Sequence, residues 1–241
     1  MIEHTGKRIL LTGASRGFGR AVAESLARNG WRLIIDARDA ELLARVAAEL
    51  SRHTEVIAIA GDVSVASHRE ELRTAVERLG GLDAIVNNAG ILGPSPQPAL
   101  LDYPLDALRD VYRMNVLAPL AVIQMMKDHI GSGATIINVT SDAAVEAYPG
   151  WGGYGSAKAA LEQISAILAA ENPDLNIYRF DPGDMRTQMH QDAFPGEDIS
   201  DRPLPETSVP ALLRLLDGEL PSGRYRASEL SAAPVAEESL P

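Results

Sequence analysis

The chain has 241 residues, 46% of them hydrophobic and 23% charged, with no cysteine and a formal net charge of −11. That length suits one well-buried domain, the lack of thiols excludes disulfides and thiolate metal sites, and the negative charge opposes electrostatic binding to nucleic acid or anionic membrane. The histidines at 4, 53, 68, 129 and 190 have no paired ligand spacing, so no metal is expected; no apolar run approaches the ~20 residues of a membrane helix, and residues 1–6 lack the apolar core of a signal peptide, which gives a cytoplasmic expectation.

Residues 8–11 form a short apolar run that stops at a glycine-rich turn, Thr12-Gly13-Ala14-Ser15-Arg16-Gly17-Phe18-Gly19. Val22, Leu26 and the alanines between them then recur at helical spacing as far as Asn29-Gly30. The alternation continues with strand 32–37, helix 40–50, strand 56–60, helix 67–79 and strand 84–87. A long helix within 106–130, strand 135–139, helix 155–170 and strand 176–180 complete it. Strands that read as continuous apolar runs are buried on both faces, which implies a parallel sheet covered by helices. Right-handed crossovers then leave an α/β, Rossmann-type doubly wound sheet within one domain, residues 1–227.

Residues 188–208 break the pattern with Pro195, Gly196, Pro203 and Pro205 and the acids Asp192, Glu197, Asp198 and Asp201, and are expected to form a mobile substrate lid. A short helix at 209–216 and a strand around 223–227 follow, and the Ala-, Ser-, Glu- and Pro-rich tail 228–241 is expected to be disordered.

The chemistry-bearing residues are Ser141, Tyr154 and Lys158. On a helix, positions i and i+4 share a face, so the Lys158 ammonium stands near the Tyr154 phenol and is expected to lower its pKa from about 10 toward the range of an acid/base catalyst. Glycines 13, 17 and 19 allow a tight turn and close approach of the backbone to phosphate, and aim a helix N-terminus at a pyrophosphate. Asp36 falls loosely where an acid would hold a ribose hydroxyl.

The ordered set of glycine turn, Asp62-Val63, Asn87-Asn88-Ala89-Gly90, Asn115, Ser141, Tyr154, Lys158 and Pro182-Gly183 resembles the compact short-chain dehydrogenase/reductase family over residues 7 to about 187. The resemblance implies hydride transfer between a nicotinamide cofactor and a carbonyl or alcohol, with Tyr154 as acid or base and Ser141 fixing the substrate oxygen. Lys158 would hold the nicotinamide ribose, and Asn115 would bend its helix and hold a water that passes protons from the lysine. It further implies that the cofactor is held by Gly13, Ser15, Arg16, Gly17, Phe18, Gly19, Arg38, Asp62, Val63, Asn88, Ala89, Gly90, Pro182, Gly183 and Thr187, with Tyr154 and Lys158.

In the family register the NAD-selecting acid falls at Ala37, so Asp36 is expected to point elsewhere, while Arg16 and Arg38 match positions that hold a 2′-phosphate. NADP(H) is therefore the expected cofactor, with NAD(H) the lesser alternative. The substrate pocket is expected to be bordered by Leu92 to Pro94, Asp142, Glu146, Tyr148, Trp151, Asp184 and the lid, the acids favouring a neutral or cationic small molecule over a polyanion. The net charge also weighs against an acidic carrier protein as the substrate's bearer. The resemblance implies a homodimer or homotetramer built on the helices near 106–130 and 155–170.

Three rivals remain. A nucleotide-sugar epimerase shares the Tyr/Lys pair but needs a larger C-terminal part. A methyltransferase leaves Ser141, Tyr154 and Lys158 unexplained. A non-catalytic NADP-binding redox sensor would typically lack part of this set.

Overall fold

The computed structural model describes residues 6–231. Its strands are β1 (Arg8–Leu11), β2 (Arg32–Ala37), β3 (Val56–Ala60), β4 (Leu82–Asn87), β5 (Ile130–Val139), β6 (Asn176–Asp181) and β7 (Gly223–Arg226). They make one sheet in the order β3-β2-β1-β4-β5-β6-β7, every pair parallel. The helices are α1 (Gly17–Arg28), α2 (Ala40–Leu50), α3 (Ala66–Leu79), α4 (Leu105–Tyr112), α5 (Ala118–Met126), α6 (Gly152–Glu171), α7 (Gln188–Ala193), α8 (Val209–Leu216) and α9 (Ala227–Ser231).

Side chains alternate along a strand, and here both faces are covered. Ile9, Leu11, Ile35 and Val86 pack with Val22 and Leu26 of α1 and Leu212 and Leu215 of α8. Leu10, Ile34 and Ile85 pack on the opposite face with Leu72 and Val76 of α3 and Val122 and Met126 of α5. The strand order reverses between β1 and β4, which opens a crevice at their carboxyl ends.

A buried polar ladder ties the centre of the sheet to α6. Asn87 Nδ2 donates to Asn138 Oδ1 across β4 and β5 at 2.8 Å, Asn138 Nδ2 donates to Ser165 Oγ at 2.8 Å, and Ser165 Oγ donates to the Leu161 carbonyl at 2.6 Å. This fixes the height of the helix that carries Tyr154 and Lys158.

Two sequence expectations are corrected. The single helix expected within 106–130 is two, joined by a π-turn at Arg113–Leu117, and it stops early because Ile130 already pairs with Leu82 as the start of β5. Residues 188–208, expected to act as a lid, include α7 and a 3₁₀ turn at Pro205–Ser208. The tail does not begin at Ser228: residues 227–231 are helical, with Leu230 packed on the main core and its carbonyl accepting from Arg214 Nη1 at 3.1 Å. The remainder of that tail, 232–241, lies outside the described residues.

Leu10 is fully buried in the sheet face under α3 and α5. Leu10→Ala is expected to lose about 2–5 kcal/mol in denaturant unfolding with the m-value unchanged; a loss under 1 kcal/mol would show that this face is not close-packed.

Candidate active site

A cleft of about 1040 Å³ opens at the crevice between β1 and β4. Its cofactor-side wall begins at the turn after β1. Gly13 and Gly17 take φ of +70° and +53°, which side chains other than glycine rarely adopt. A Cβ on Gly19 would meet the Gly13 carbonyl oxygen at 2.2 Å and Asn88 Nδ2 at 2.4 Å, so close backbone approach excludes any side chain there. Thr12, a position given no role from sequence, joins the two walls: its Oγ1 accepts from the main-chain N–H groups of Asn88 and Ala89, both at 3.0 Å. Asn88 Nδ2 returns bonds to the carbonyls of Thr12 and Gly13 at 3.0 and 3.1 Å.

Asp36 lines the cleft with its carboxylate engaged inside the fold. Its Oδ1 accepts from the Gly13 N–H at 2.8 Å, and its Oδ2 lies 3.1 Å from Nε2 of the buried His68. Arg16 and Arg38 are exposed on the cleft, and neither makes an ion pair among the described residues. Ser15, Phe18, Val63, Ala89, Gly90, Pro182, Gly183 and Thr187 also line it. Asp62 does not. Its Oδ1 caps the turn by accepting from the Ser64 N–H at 2.8 Å. Burial opposes ionisation of Asp62, but the Ser64 bonds and the fields of Arg38 and Arg113 outweigh it and hold the carboxyl below its ordinary range.

The catalytic side comes from β5 and α6. Ser141 stands just past β5, while Tyr154 and Lys158 lie one turn apart on α6, and all three line the cleft. Gly155 lets the helix lie on the serine loop, since a Cβ there would sit 2.6 Å from the Ala143 carbonyl oxygen. Lys158 is 4% exposed and donates from Nζ to the Val139 carbonyl at 2.8 Å. Nζ also lies 5.6 Å from the centroid of the Tyr154 ring. Burial lowers the Lys158 pKa to about 8. The Tyr154 phenol is pushed upward, chiefly by burial and then by the charges of Asp181 and Asp142. The expected lowering of this phenol is thus not found: burial first and then two acids raise it, and the ammonium is directed at the Val139 carbonyl.

Ser141 Oγ donates to Asp142 Oδ1 at 2.8 Å and accepts from the Ala143 N–H at 3.2 Å. Asn115 sits where the helix is irregular, as expected, and its side chain has a further partner. It is fully buried in the π-turn, with Nδ2 donating to the Ile91 carbonyl at 2.8 Å and Oδ1 accepting from the Ile91 N–H at 2.9 Å. The helix is irregular where expected, but the amide clamps the wall after β4 and does not itself line the cleft.

The end of the cleft expected to take substrate carries Leu92, Pro94, Asp142, Tyr148, Trp151, Asp184 and Phe194. Glu146, expected here, does not line it, because Tyr148 and Arg226 hold its carboxylate. Helix α7 is tied to the opposite wall by Ser95 Oγ, which donates to the Asp192 carbonyl at 2.6 Å. Trp151 also approaches Phe194 at 6.0 Å between ring centroids. Among the described residues, no group of three or more His, Asp or Glu could hold a metal ion, and no helix is long and apolar enough to cross a membrane.

Comparison with known proteins agrees with this geometry. The family model described as short chain dehydrogenase matches residues 7–198. Mouse (Mus musculus) sepiapterin reductase is 32% identical over 197 residues, covering 76% of each chain. The 3-oxoacyl-acyl-carrier-protein reductase of rhamnolipid biosynthesis from Pseudomonas aeruginosa is 31% identical, covering 96% of this chain and 88% of its own. An alcohol dehydrogenase from Thermococcus sibiricus, solved with 5-hydroxy-NADP, superposes with a TM-score of 0.82 at 29% identity, over 91% of this chain and 95% of that one. With its seven-stranded parallel sheet and a cleft that gathers the glycine turn, serine, tyrosine and lysine, the chain belongs to the short chain dehydrogenase family of oxidoreductases.

Proposed function

We propose that the protein transfers hydride between NADP(H) and the carbonyl or alcohol carbon of a small neutral or cationic substrate. The observation that carries this reading is the convergence of Ser141, Tyr154 and Lys158 in the same cleft as a glycine turn that only bare backbone fits. The donor set suits a phosphorylated dinucleotide. The N-terminus of α1, without a side-chain cap, suits a pyrophosphate, and the exposed guanidiniums of Arg16 and Arg38, without an ion pair among the described residues, suit a 2′-phosphate. The NADP analogue held by the Thermococcus sibiricus enzyme supports the same choice. Bound there, the nicotinamide supplies or accepts the hydride.

Within this reading the protein's own groups manage one proton and one oxygen. Tyr154 keeps its phenolic proton at neutral pH because burial and the acids Asp181 and Asp142 disfavour phenolate. In the reductive direction it can therefore deliver that proton to a carbonyl oxygen. Ser141 Oγ turns from Asp142 to donate to the same oxygen. Lys158, seated by the Val139 carbonyl, presents its remaining N–H bonds to ribose hydroxyls. Asn115 holds the wall after β4 in place and so fixes the width of the cleft. Asp142 and Asp184, beside the aromatic rings of Tyr148, Trp151 and Phe194, favour a substrate without anionic groups. Exposed Leu105, Leu117 and Ile167 on the helices near 105–126 and on α6 support a homodimer or homotetramer through those faces.

Tyr154→Phe keeps the ring and removes the proton. Turnover, followed by NADPH absorbance across a panel of aldehydes and ketones, is expected to fall by roughly 10²–10⁴-fold with NADPH affinity within a few-fold; unchanged kcat would exclude Tyr154 as the acid. The kcat/KM with NADPH is expected to exceed that with NADH, and the reverse order would contradict the roles of Arg16 and Arg38.

The lysine gives a prediction in pH. Its pKa falls from 10.5 to about 8 on folding, so between those values the unfolded chain binds more protons. Its contribution to stability therefore rises with pH through that window and is least favourable below about 8. The stability of the wild type relative to Lys158→Met, measured by chemical denaturation, is expected to increase from pH 7 to pH 10. A flat difference would mean that the amine is not dehydrated in the fold.

A further inference from the structure

Beneath Ser141 an ion cluster joins β6, β7 and α6, with Asp181 also lining the cleft. Arg224 on β7 donates from Nε to Glu162 Oε1 of α6 at 2.9 Å. Its Nη2 donates to Asp181 Oδ2, at the end of β6, at 3.0 Å and to the main-chain carbonyl of Ser141 at 3.3 Å. The side chains of Glu162 and Asp181 are only 9% and 5% exposed, and that of Arg224 is 20% exposed. Glu162 Oε1 also accepts from Thr140 Oγ1 at 2.8 Å. Two successive residues at the end of β5 are therefore held from below, and both attachments lead to one guanidinium.

A second arginine extends the cluster. Arg226 Nη2 donates to Glu146 Oε1 at 3.1 Å, and its Nε lies 3.6 Å from Asp181 Oδ2. The Tyr148 hydroxyl lies 2.7 Å from Glu146 Oε2 and 3.1 Å from Asp142 Oδ2, the carboxylate whose other oxygen accepts from Ser141 Oγ. The serine turn is thus braced at its carbonyl by Arg224 and at its hydroxyl partner by a chain that ends on Arg226.

Burying one guanidinium with two carboxylates is a poor way to gain stability, since a well-packed apolar substitute often does as well. What such a forked, planar cation provides is direction: three acceptors on three elements, each at a fixed angle. Neither Arg224 nor Glu162 lines the cleft, so neither touches substrate or cofactor directly.

We propose that Arg224 is a positioning residue for the reaction. By holding the Ser141 carbonyl and, through Glu162, the Thr140 hydroxyl, it sets the orientation of the turn that aims Ser141 Oγ into the cleft. The last strand of the sheet is then part of the catalytic apparatus. The proposal rests on the dehydrogenase reading above, and its test separates the two.

The full chain is compared with Arg224→Gln, Arg224→Lys and the double variant Arg224→Met/Glu162→Gln, which removes the guanidinium with one of its two carboxylates and leaves Asp181 to Arg226. The readouts are NADPH binding by fluorescence, turnover of 9,10-phenanthrenequinone as an unhindered diketone probe, melting temperature, and deuterium uptake by residues 140–146. Arg224→Gln is expected to lower kcat about tenfold or more, as misaimed catalytic groups do. Its Kd for NADPH should stay within about twofold and deuterium uptake by 140–146 should quicken, while Arg224→Lys recovers part of kcat. The double variant should regain melting temperature without regaining kcat.

A folded Arg224→Gln with wild-type kcat and uptake overturns the proposal, as does a double variant whose kcat returns with its stability. If Arg224→Gln fails to fold, the double variant decides by the same measures. If the wild type turns over neither the diketone nor a carbonyl panel, the dehydrogenase reading fails instead. Deuterium uptake then still decides whether Arg224 holds the turn, and unchanged uptake refutes it.

Discussion

The site depends on one constraint: the charged end of Lys158 must be buried against the carboxyl end of β5. An ammonium in that position is costly unless it is paired or hydrogen-bonded, and the Val139 carbonyl at 2.8 Å supplies the bond. Meeting that demand draws α6 onto the strand end. Gly155 makes the approach sterically feasible, and the Asn87–Asn138–Ser165 ladder sets the height at which the helix rests. With α6 placed, Tyr154 enters the cleft beside the turn that bears Ser141. The proposed catalytic group is thus a consequence of how a helix is seated on a sheet.

The same logic governs the opposite wall. A parallel sheet whose order reverses between β1 and β4 leaves a crevice that no crossover helix covers. Thr12 and Asn88 lace its two sides together through main-chain groups, while Asp36, with His68 behind it, holds the Gly13 amide. The cofactor wall is therefore held chiefly by polar contacts to backbone, and the substrate wall by aromatic rings and the Ser95 contact to α7. The acids near Tyr154 complete the electrostatics. Burial first, and then Asp181 and Asp142, disfavour the Tyr154 phenolate, and Arg224 and Arg226 lie against Asp181.

Much of this was legible in the sequence because it is written in local chemistry. Continuous apolar strands separated by helical periods specify a two-sided parallel sheet, and a glycine run after the first strand leaves few alternatives to a phosphate-binding turn. Tyr154 and Lys158 meet because helical geometry alone brings them together. What escaped is non-local. Asn115 reads as a helix residue near the lysine, but its partner is Ile91, 24 positions earlier, and only the fold reveals it. Asp36 and His68 are 32 positions apart, and Arg224 reaches Ser141 across 83. The one local trace of that last contact was a pair of arginines at alternate positions on a short terminal strand. The proton affinity of Tyr154 is hidden from the sequence for the same reason: spacing on a helix shows the nearby cation, whereas burial and Asp181 come from the rest of the molecule.

The most direct measurement is a crystal structure of the protein grown with NADP⁺. The account predicts the pyrophosphate at the N-terminus of α1, the 2′-phosphate between Arg16 and Arg38, and the nicotinamide beside Tyr154 with its ribose on Lys158. A dinucleotide bound elsewhere, or one whose nicotinamide faces away from Tyr154 and Ser141, would contradict it.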